Sequence, residues 1–391
     1  MEFVLSLVSE EQRRLHAEAV AACRGRLGQL DHAAGETTTV DRGVMAELAR
    51  IGLLDWTVPG AYGTGHGTLR APATMTLVGF CLVRETLARL APTAELIFTM
   101  QGLGAGPISF FGSDAQKQRY LPRVAAGELS AAFALTEPHT GSDPAAIETT
   151  AVRDGDDYLL NGRKTYISMA PDADLYTVFA KTDPSAGSRG ISCFIVEKGT
   201  PGFDPGERMD LMAPHPIGEP VFTNCRVPAA NRIGDENQGF KVAMGSLDFF
   251  RTTVGACAVG FAQRALDESL AYAKQRKAFG KAIAEFQAVQ TKLAAMSIEL
   301  EAARLLVYRA AMTRDSGRKP RITLESAQAK LYATEAAQRI IDAGVQIHGG
   351  NGVRKGVEVE RLYREIRALR IYEGTSEIQH LVIAGQLLRA D

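Results

Sequence analysis

Of the sixteen prolines in this chain of 391 residues, fifteen lie at or before Pro228, and only Pro320, in the SGRKP loop, follows. A proline inside a helix removes a backbone donor and clashes with the preceding turn. The long stretch after residue 228 is therefore free to be helical, while the earlier part is interrupted again and again. Ala, Leu, Glu, Lys and Arg recur in that stretch at helical spacing. The pattern predicts long helices near 236–275, 284–316 and 321–347, and shorter ones near 356–369 and 375–389. Leu293, Met296, Leu300, Ala303, Leu306 and Val307 follow the three-and-four spacing of one buried stripe.

The middle of the chain has a different texture. LYTVFAKTD, GISCFIVEKG and VFTNCRVP are rich in β-branched and aromatic residues and are separated by Pro, Ser and Gly. In DYLLNGRKTYIS the pair Asn161-Gly162 is expected to turn a two-residue hairpin. Before residue 130, SEEQRRLHAEAV, VMAELARIGLLD, VRETLARLA and DAQKQRYLPRVAAG again read as helices. The expected fold class is α+β. It comprises an N-terminal α-helical domain over 1–130, a middle antiparallel β-domain over 131–235 (barrel or sandwich-like), and a C-terminal four-helix-bundle domain over 236–391.

Charge and cysteine usage remove several functions. The formal net charge is -1, so no basic field points to nucleic acid and no polybasic stripe to a membrane surface. MEFVLSLVSEEQRRL lacks a basic leader and soon becomes charged, so a signal peptide is not expected, and no apolar run approaches a membrane span. The five cysteines are scattered without a CxxC pair and read as reduced core residues of a cytoplasmic protein. The histidines show no HxxxH or HExxH spacing, so no metal site is expected. GLGAGP (102–107) and GTGHGT (63–68) lack GxGxxG spacing and a preceding strand, and no GxxxxGK[ST] occurs; neither a Rossmann site nor a P-loop is expected.

Two stretches carry chemistry. FALTEPHTGSD (133–143) is an apolar strand running into a tight loop, whose small hydroxyls and backbone N–H groups suit a phosphate or a ring edge as well as an ordinary turn. RIYEGTSEIQHLV (370–382) stops a helical segment at Tyr372, Glu373 and Gly374 and restarts it at Thr375 and Ser376, both good N-caps. Glu373 is thereby placed on a turn between two helices. Taken alone, it is also what a surface glutamate at a helix boundary looks like.

With QRKAFGKAI (275–283), Gln287, QIHGGNG (346–352) and YEGTSEIQ (372–379) following FALTEPHTGSD in order, the sequence resembles the acyl-CoA dehydrogenase family of flavoproteins. The resemblance runs from VPGAYGTG (58–65) to the last helix and implies FAD as cofactor. It implies that Phe133, Leu135 and Thr136 lie at the flavin ring, with Ser142 at the pyrophosphate and facing substrate. Ser168 would stand near the reactive flavin edge, and Tyr166, where Trp is more frequent, would pack near the isoalloxazine. Arg276, Phe279, Gln287, Gln346 and Gly350 would hold the adenosine diphosphate half of an FAD in a neighbouring subunit. Thr375 and Glu377 would close over its adenine-side phosphates and ribose. A guanidinium suits a diphosphate; in isolation Arg276 also reads as a solvated arginine, and Gln346 with Gly350 as a helix C-cap.

The same resemblance implies that Glu373 is the catalytic base. It would remove the α-proton of an acyl-CoA thioester while the β-hydrogen leaves as hydride to flavin N5, giving the trans-2-enoyl-CoA. A carboxylate desolvated beside an acyl chain is expected to have a raised pKa. The Glu373 backbone N–H and a flavin ribityl hydroxyl would receive the enolate oxygen. Some relatives carry the base on another helix; here that place holds Phe250, which cannot take a proton. Asp248 and Arg251, an ion pair three residues apart, together with Tyr372 and Gly374, complete the substrate-facing set. The partners implied are an acyl-CoA thioester and an electron-transfer flavoprotein, in a homotetramer.

One segment departs from the family pattern. In ERMDLMAPHPIGEPVF (207–222), Met209, Leu211 and His215 replace the usual basic residue and glycine. A thioester carried on an acyl-carrier protein, handled by a dehydrogenase or oxidase, therefore stays open beside acyl-CoA. A catalytically silent helical scaffold is the remaining alternative.

Overall fold

The computed structural model describes residues 1–67, 70–319 and 321–389, so Pro320 and the end of GTGHGT lie outside the described residues. Two compact units form: Met1–Arg24 with Leu77–Pro92 and Asp248–Asp391, and Gly25–Thr76 with Thr93–Leu247.

The first unit is helical. Its long elements are Gln287–Asp315, Thr323–His348 and the part of Gly239–Gln275 from residue 248 onward, each near its expected bounds. Thr323–His348 packs against Gln287–Asp315, Glu358–Leu369 and Ser376–Leu387, while Leu77–Leu90 lies on Glu10–Arg24 and Gln287–Asp315. The first of these helices can be central because its faces are lined with small side chains: Ala327, Ala329, Ala333, Ala336 and Ala337 are all buried. Of the expected stripe, Met296, Leu300, Ala303 and Val307 are buried, with Leu293 and Leu306 half-buried. Several buried polar groups inside the unit are paired. Asp315 accepts from the N–H groups of Leu77 (2.9 Å) and Val78 (2.8 Å), capping that helix. Arg304 and Tyr308 both reach the buried Glu85, at 3.0 and 2.9 Å.

The second unit is built on an eight-stranded sheet. Its order is Arg232–Ile233, Ile191–Glu197, Leu175–Lys181, Thr150–Asp154, Asp157–Arg163, Val221–Pro228 and Phe203–Asp204, with Ala131–Ala134 also paired to Leu175–Lys181. Pairing is antiparallel except where Leu175–Lys181 meets Ala131–Ala134 and Thr150. Leu175 to Ala180 and Ile191 to Val196 are buried without alternation, the mark of strands covered on both faces. Ile108, Leu121, Phe179, Ile195 and Val242 meet in the core of this unit.

One expectation about the chain path is corrected. Asn161-Gly162 does not turn a hairpin: the strand Asp157–Arg163 runs through it, and the turn falls earlier, where Asp154 pairs with Asp157. At Leu160/Gly162 the pairing with Val221–Pro228 slips register instead, a bulge. Glycine is required there by close approach, since a Cβ would lie 2.4 Å from Thr149 Oγ1 and 2.7 Å from its Cα. The cluster GLGAGP lies inside the buried helix Pro92–Phe111, where a Cβ on Gly104 would meet the Ala131 backbone at 2.5 Å. Its glycines serve helix-to-strand packing. All five cysteines are free and buried, and no described helix is long and apolar enough to cross a membrane.

Candidate active site

Glu373 sits where the helix Glu358–Leu369 has ended and Ser376–Leu387 has not begun. Its φ is +54° and that of Gly374 is +95°, two left-handed residues in succession. For a glutamate this conformation costs on the order of 1 kcal/mol and needs support from its surroundings. The support is a set of donors aimed at two carbonyls. Glu373 O accepts from Arg251 Nε at 3.1 Å and from Gln379 Nε2 at 3.3 Å. Gly374 O accepts from Lys330 Nζ at 2.8 Å and from Gln379 Nε2 at 3.1 Å. Thr375 Oγ1 caps the following helix by accepting from the Ile378 N–H at 3.3 Å, as its sequence position foretold. Glu335 ties down both flanks, accepting from Arg370 Nε (2.9 Å) and Ser376 Oγ (2.5 Å). At Gly374 the φ of +95° is one that L side chains rarely adopt, and a Cβ would lie 2.5 Å from Gln379 Nε2 and displace that donor.

Asp248 and Arg251 form the expected pair at 3.3 Å, and Arg251 spends its Nε on the Glu373 turn. Asp248 also accepts from Thr323 Oγ1 at 2.9 Å. Phe250 is fully buried with its ring 5.4 Å from Phe80. Tyr372 stands partly exposed beside Glu373, which is half-buried.

Also in this unit, Arg276, Phe279, Gln287, Gln346 and Gly350 are all exposed. Lys277–Ala278 and Lys281–Ala282 pair as a short hairpin turned by Phe279 (φ +51°) and Gly280 (φ +84°). That turn holds the Phe279 ring 95% exposed, with Phe286 edge-on at 6.0 Å. Tyr272 stacks on His348 at 4.3 Å and accepts from Asn351 Nδ2 at 3.4 Å, joining the base of the hairpin to QIHGGNG. Gly349 does cap the helix, donating to Gln346 O, so the C-cap reading of this stretch holds.

In the other unit, Phe133 packs on Phe179 at 4.9 Å, and the strand then passes into Leu135 and Thr136. The Leu135 carbonyl accepts from Lys164 Nζ (3.1 Å) and the Thr136 carbonyl from the Thr165 N–H (3.0 Å). Glu137 anchors the loop from inside: its carboxylate accepts from Lys164 Nζ (2.7 Å) and from the N–H groups of Glu148 (2.5 Å) and Thr149 (3.0 Å). Burial alone would raise the Glu137 pKa, but the Lys164 charge and these donors hold it below the ordinary carboxylate value. Ser142 lies exposed on the loop that follows. Tyr166 has φ +55° and a ring 57% exposed. Ser168 Oγ lies 2.9 Å from His215 Nε2, and burial lowers the His215 pKa to about 4, so this imidazole is neutral near pH 7.

Comparison with known proteins decides the family. Residues 9–128, 132–225 and 237–388 match the N-terminal, middle and C-terminal domains of acyl-CoA dehydrogenases. The chain belongs to the acyl-CoA dehydrogenase family. It is 41% identical over 350 residues to the caffeyl-CoA reductase-Etf complex subunit CarC of Acetobacterium woodii, covering 88% of this chain and 89% of that one. The structure of butyryl-CoA dehydrogenase from Megasphaera elsdenii is similar with a TM-score of 0.90 and 36% identity, over 98% of this chain and 99% of that one. The structure of the prolyl acyl carrier protein oxidase AnaB is similar with a TM-score of 0.89 and 31% identity, over 97% of this chain and 99% of that one.

As a member of this family the chain is an FAD-dependent oxidoreductase, and its residues fit that cofactor. The exposed rings of Tyr166 and Phe279 are both held by left-handed backbone, which does not happen by default at an aromatic residue. A Cβ on Gly141 or Gly350 would meet no atom within 4 Å, so space is open beside both loops. Hydroxyls at Thr136, Ser142 and Ser168 and a guanidinium at Arg276 supply donors of the right chemistry. Sequence reading in this acyl-CoA dehydrogenase-family chain missed Lys330 and Gln379, whose helical context looks ordinary. It also missed the pairing of Lys164 with Glu137 and that of His215 with Ser168. An acid and a base 27 residues apart across a bulged strand leave no local signal.

Proposed function

We propose that this chain dehydrogenates an acyl thioester between its α and β carbons, with Glu373 as the base that takes the α-proton. The observation that carries this reading is the Glu373 turn, a left-handed glutamate whose own carbonyl and the next are gripped by Arg251, Gln379 and Lys330. Such a grip fixes where the carboxylate starts from and where the Glu373 N–H points. Fixed donors around a developing enolate oxygen lower the barrier without reorganising during the reaction. FAD, when bound, accepts the β-hydrogen as hydride.

The remaining roles follow from the donors each residue offers. Phe133, Leu135, Thr136, Tyr166 and Ser168 are assigned to the ring side of FAD, with Ser142 at the pyrophosphate and thioester. Because the Leu135 carbonyl is spent on Lys164, its N–H takes the flavin role. Arg276, Phe279, Gln287, Gln346 and Gly350 are assigned to the adenosine diphosphate of a neighbouring subunit's FAD, in a homotetramer. Thr375 keeps a hydroxyl proton to donate although its oxygen caps a helix. Glu377 stays ionised at the helix start and accepts from a ribose hydroxyl. Tyr372 and Gly374 line the thioester, and Asp248 acts through Arg251. We place the family's domain limits at 1–130, 131–235 and 236–391.

The relatives' names favour a CoA thioester as substrate and an electron-transfer flavoprotein as acceptor. Five buried free cysteines suit a reducing compartment, the cytoplasm. A carrier-protein thioester is the second reading. It is favoured by the likeness to AnaB and by the departure at Met209, Leu211 and His215, where His215 is turned toward Ser168. Anaerobic mixing of the holoenzyme with acyl-CoAs of increasing length separates the two. Flavin bleaching by a free CoA thioester supports the first reading. Bleaching only by a carrier-bound acyl group, or peroxide release in air, supports the second.

A further inference from the structure

Lys330 lies within the helix Thr323–His348 and is 0% exposed. A lysine on a helix normally extends its ammonium into water. Here the ammonium donates to the Gly374 carbonyl at 2.8 Å. That carbonyl also accepts from Gln379 Nε2, so hydrogen bonding alone does not call for a cation. What lysine adds is charge.

The charged groups facing the ammonium are the carboxylates of Glu373, Glu335 and Glu377 and the guanidinium of Arg251. Glu335 is engaged with Arg370 and Ser376, Arg251 is engaged with Asp248, and Glu377 is exposed to water. Of these groups, the Glu373 carboxylate, one residue before the carbonyl that the ammonium holds, acts on Lys330 most strongly. We propose that Lys330 is a positioning residue for Glu373: it pins the Gly374 carbonyl and keeps the neighbouring side chain ionised, ready to receive a proton. This rests on the reading of Glu373 as the base. Burial pulls the Lys330 pKa down to about 8, and the Glu373 charge opposes that pull.

The test uses FAD-loaded enzyme and whichever of butyryl- to octanoyl-CoA bleaches the wild type fastest. Bleaching rate is followed against pH for wild type, Lys330→Met, Lys330→Arg and Glu373→Gln. Lys330→Met is expected to keep FAD and thioester affinity, while the acidic limb of its profile moves up by about one pH unit. Below that limb its rate falls about tenfold, and Lys330→Arg leaves the limb in place. An unmoved limb in Lys330→Met, with Glu373→Gln silent, overturns this proposal and spares the base. Wild-type bleaching by Glu373→Gln overturns both. A second measurement needs neither substrate nor a Lys330 variant. Glu373→Gln withdraws the charge that supports the ammonium, so its thermal stability must begin to rise with pH at a lower pH than that of wild type. Parallel stability curves between about pH 7 and 9 would show the two groups uncoupled and end the proposal.

Discussion

Lys330 Nζ lies 2.8 Å from the carbonyl oxygen of Gly374, the residue that follows Glu373. Burial holds the ammonium pKa at about 8, below the 10.5 of a free lysine. Between those values the unfolded chain binds more protons than the folded one, so stability rises as pH climbs through the window. Below it the folded state carries a penalty of roughly 3 kcal/mol from this group. Lys330→Met removes that penalty, and Gln379 still satisfies the carbonyl. The variant is expected to melt no lower than wild type at neutral pH, with a flatter stability curve toward alkaline pH. Calorimetry across pH checks this. A loss of several degrees at neutral pH would mean that Lys330 serves the fold more than the turn.

The Lys164–Glu137 pair is as deeply buried, with side chains 0% and 5% exposed and 2.7 Å apart. Glu137→Ala leaves the ammonium with the Leu135 carbonyl and strips the Glu148 and Thr149 N–H groups of their acceptor. A cost of about 3–5 kcal/mol is expected in urea unfolding. Lys164→Met is expected to cost less, because Glu137 keeps those N–H donors and can protonate. Equal costs would contradict this order.

Gly162 (φ +151°) and Gly155 (φ +62°) both take positive φ, but only Gly162 adds close approach. A Cβ at Gly162 would lie 2.4 Å from Thr149 Oγ1, whereas at Gly155 (φ +62°) it would meet nothing within 4 Å. Gly155→Ala is expected to cost about 1 kcal/mol, the ordinary left-handed penalty. Gly162→Ala should cost at least about twice that, because the bulge must shift. Chemical denaturation of the two variants gives the comparison directly.

These sites also mark how far sequence reading reached. The helices of the first unit were legible because few prolines interrupt a strong period, and the Glu373 turn because Gly374 and Thr375 punctuate it. Asn161-Gly162 misled because the glycine answers to Thr149, a residue of another segment, and not to a local turn. The helix Pro92–Phe111 was not foreseen, since its glycines lower local propensity and are justified by packing on Ala131. Lys330 in AQAKLYATE looks like a solvated lysine. Its burial exists only once neighbouring helices pack around it.

His215 offers a test of the flavin-side assignment. It holds Ser168 Oγ at 2.9 Å as a neutral ring, so it can orient the hydroxyl without adding charge. His215→Leu is expected to weaken FAD binding to the apoprotein by about tenfold, the worth of one well-placed hydrogen bond. Ser168→Ala should weaken it comparably, and fluorescence titration reads both. Unchanged affinity in both variants would remove Ser168 from the flavin contacts.

The most direct measurement is anaerobic stopped-flow mixing of FAD-loaded Glu373→Gln with an acyl thioester that bleaches the wild type. Glutamine preserves the shape of the side chain but cannot take the α-proton at neutral pH. Thioester affinity within a few-fold of wild type, with bleaching slowed by at least about a thousandfold, is the expected result. Bleaching at the wild-type rate would contradict the assignment of Glu373 as the base.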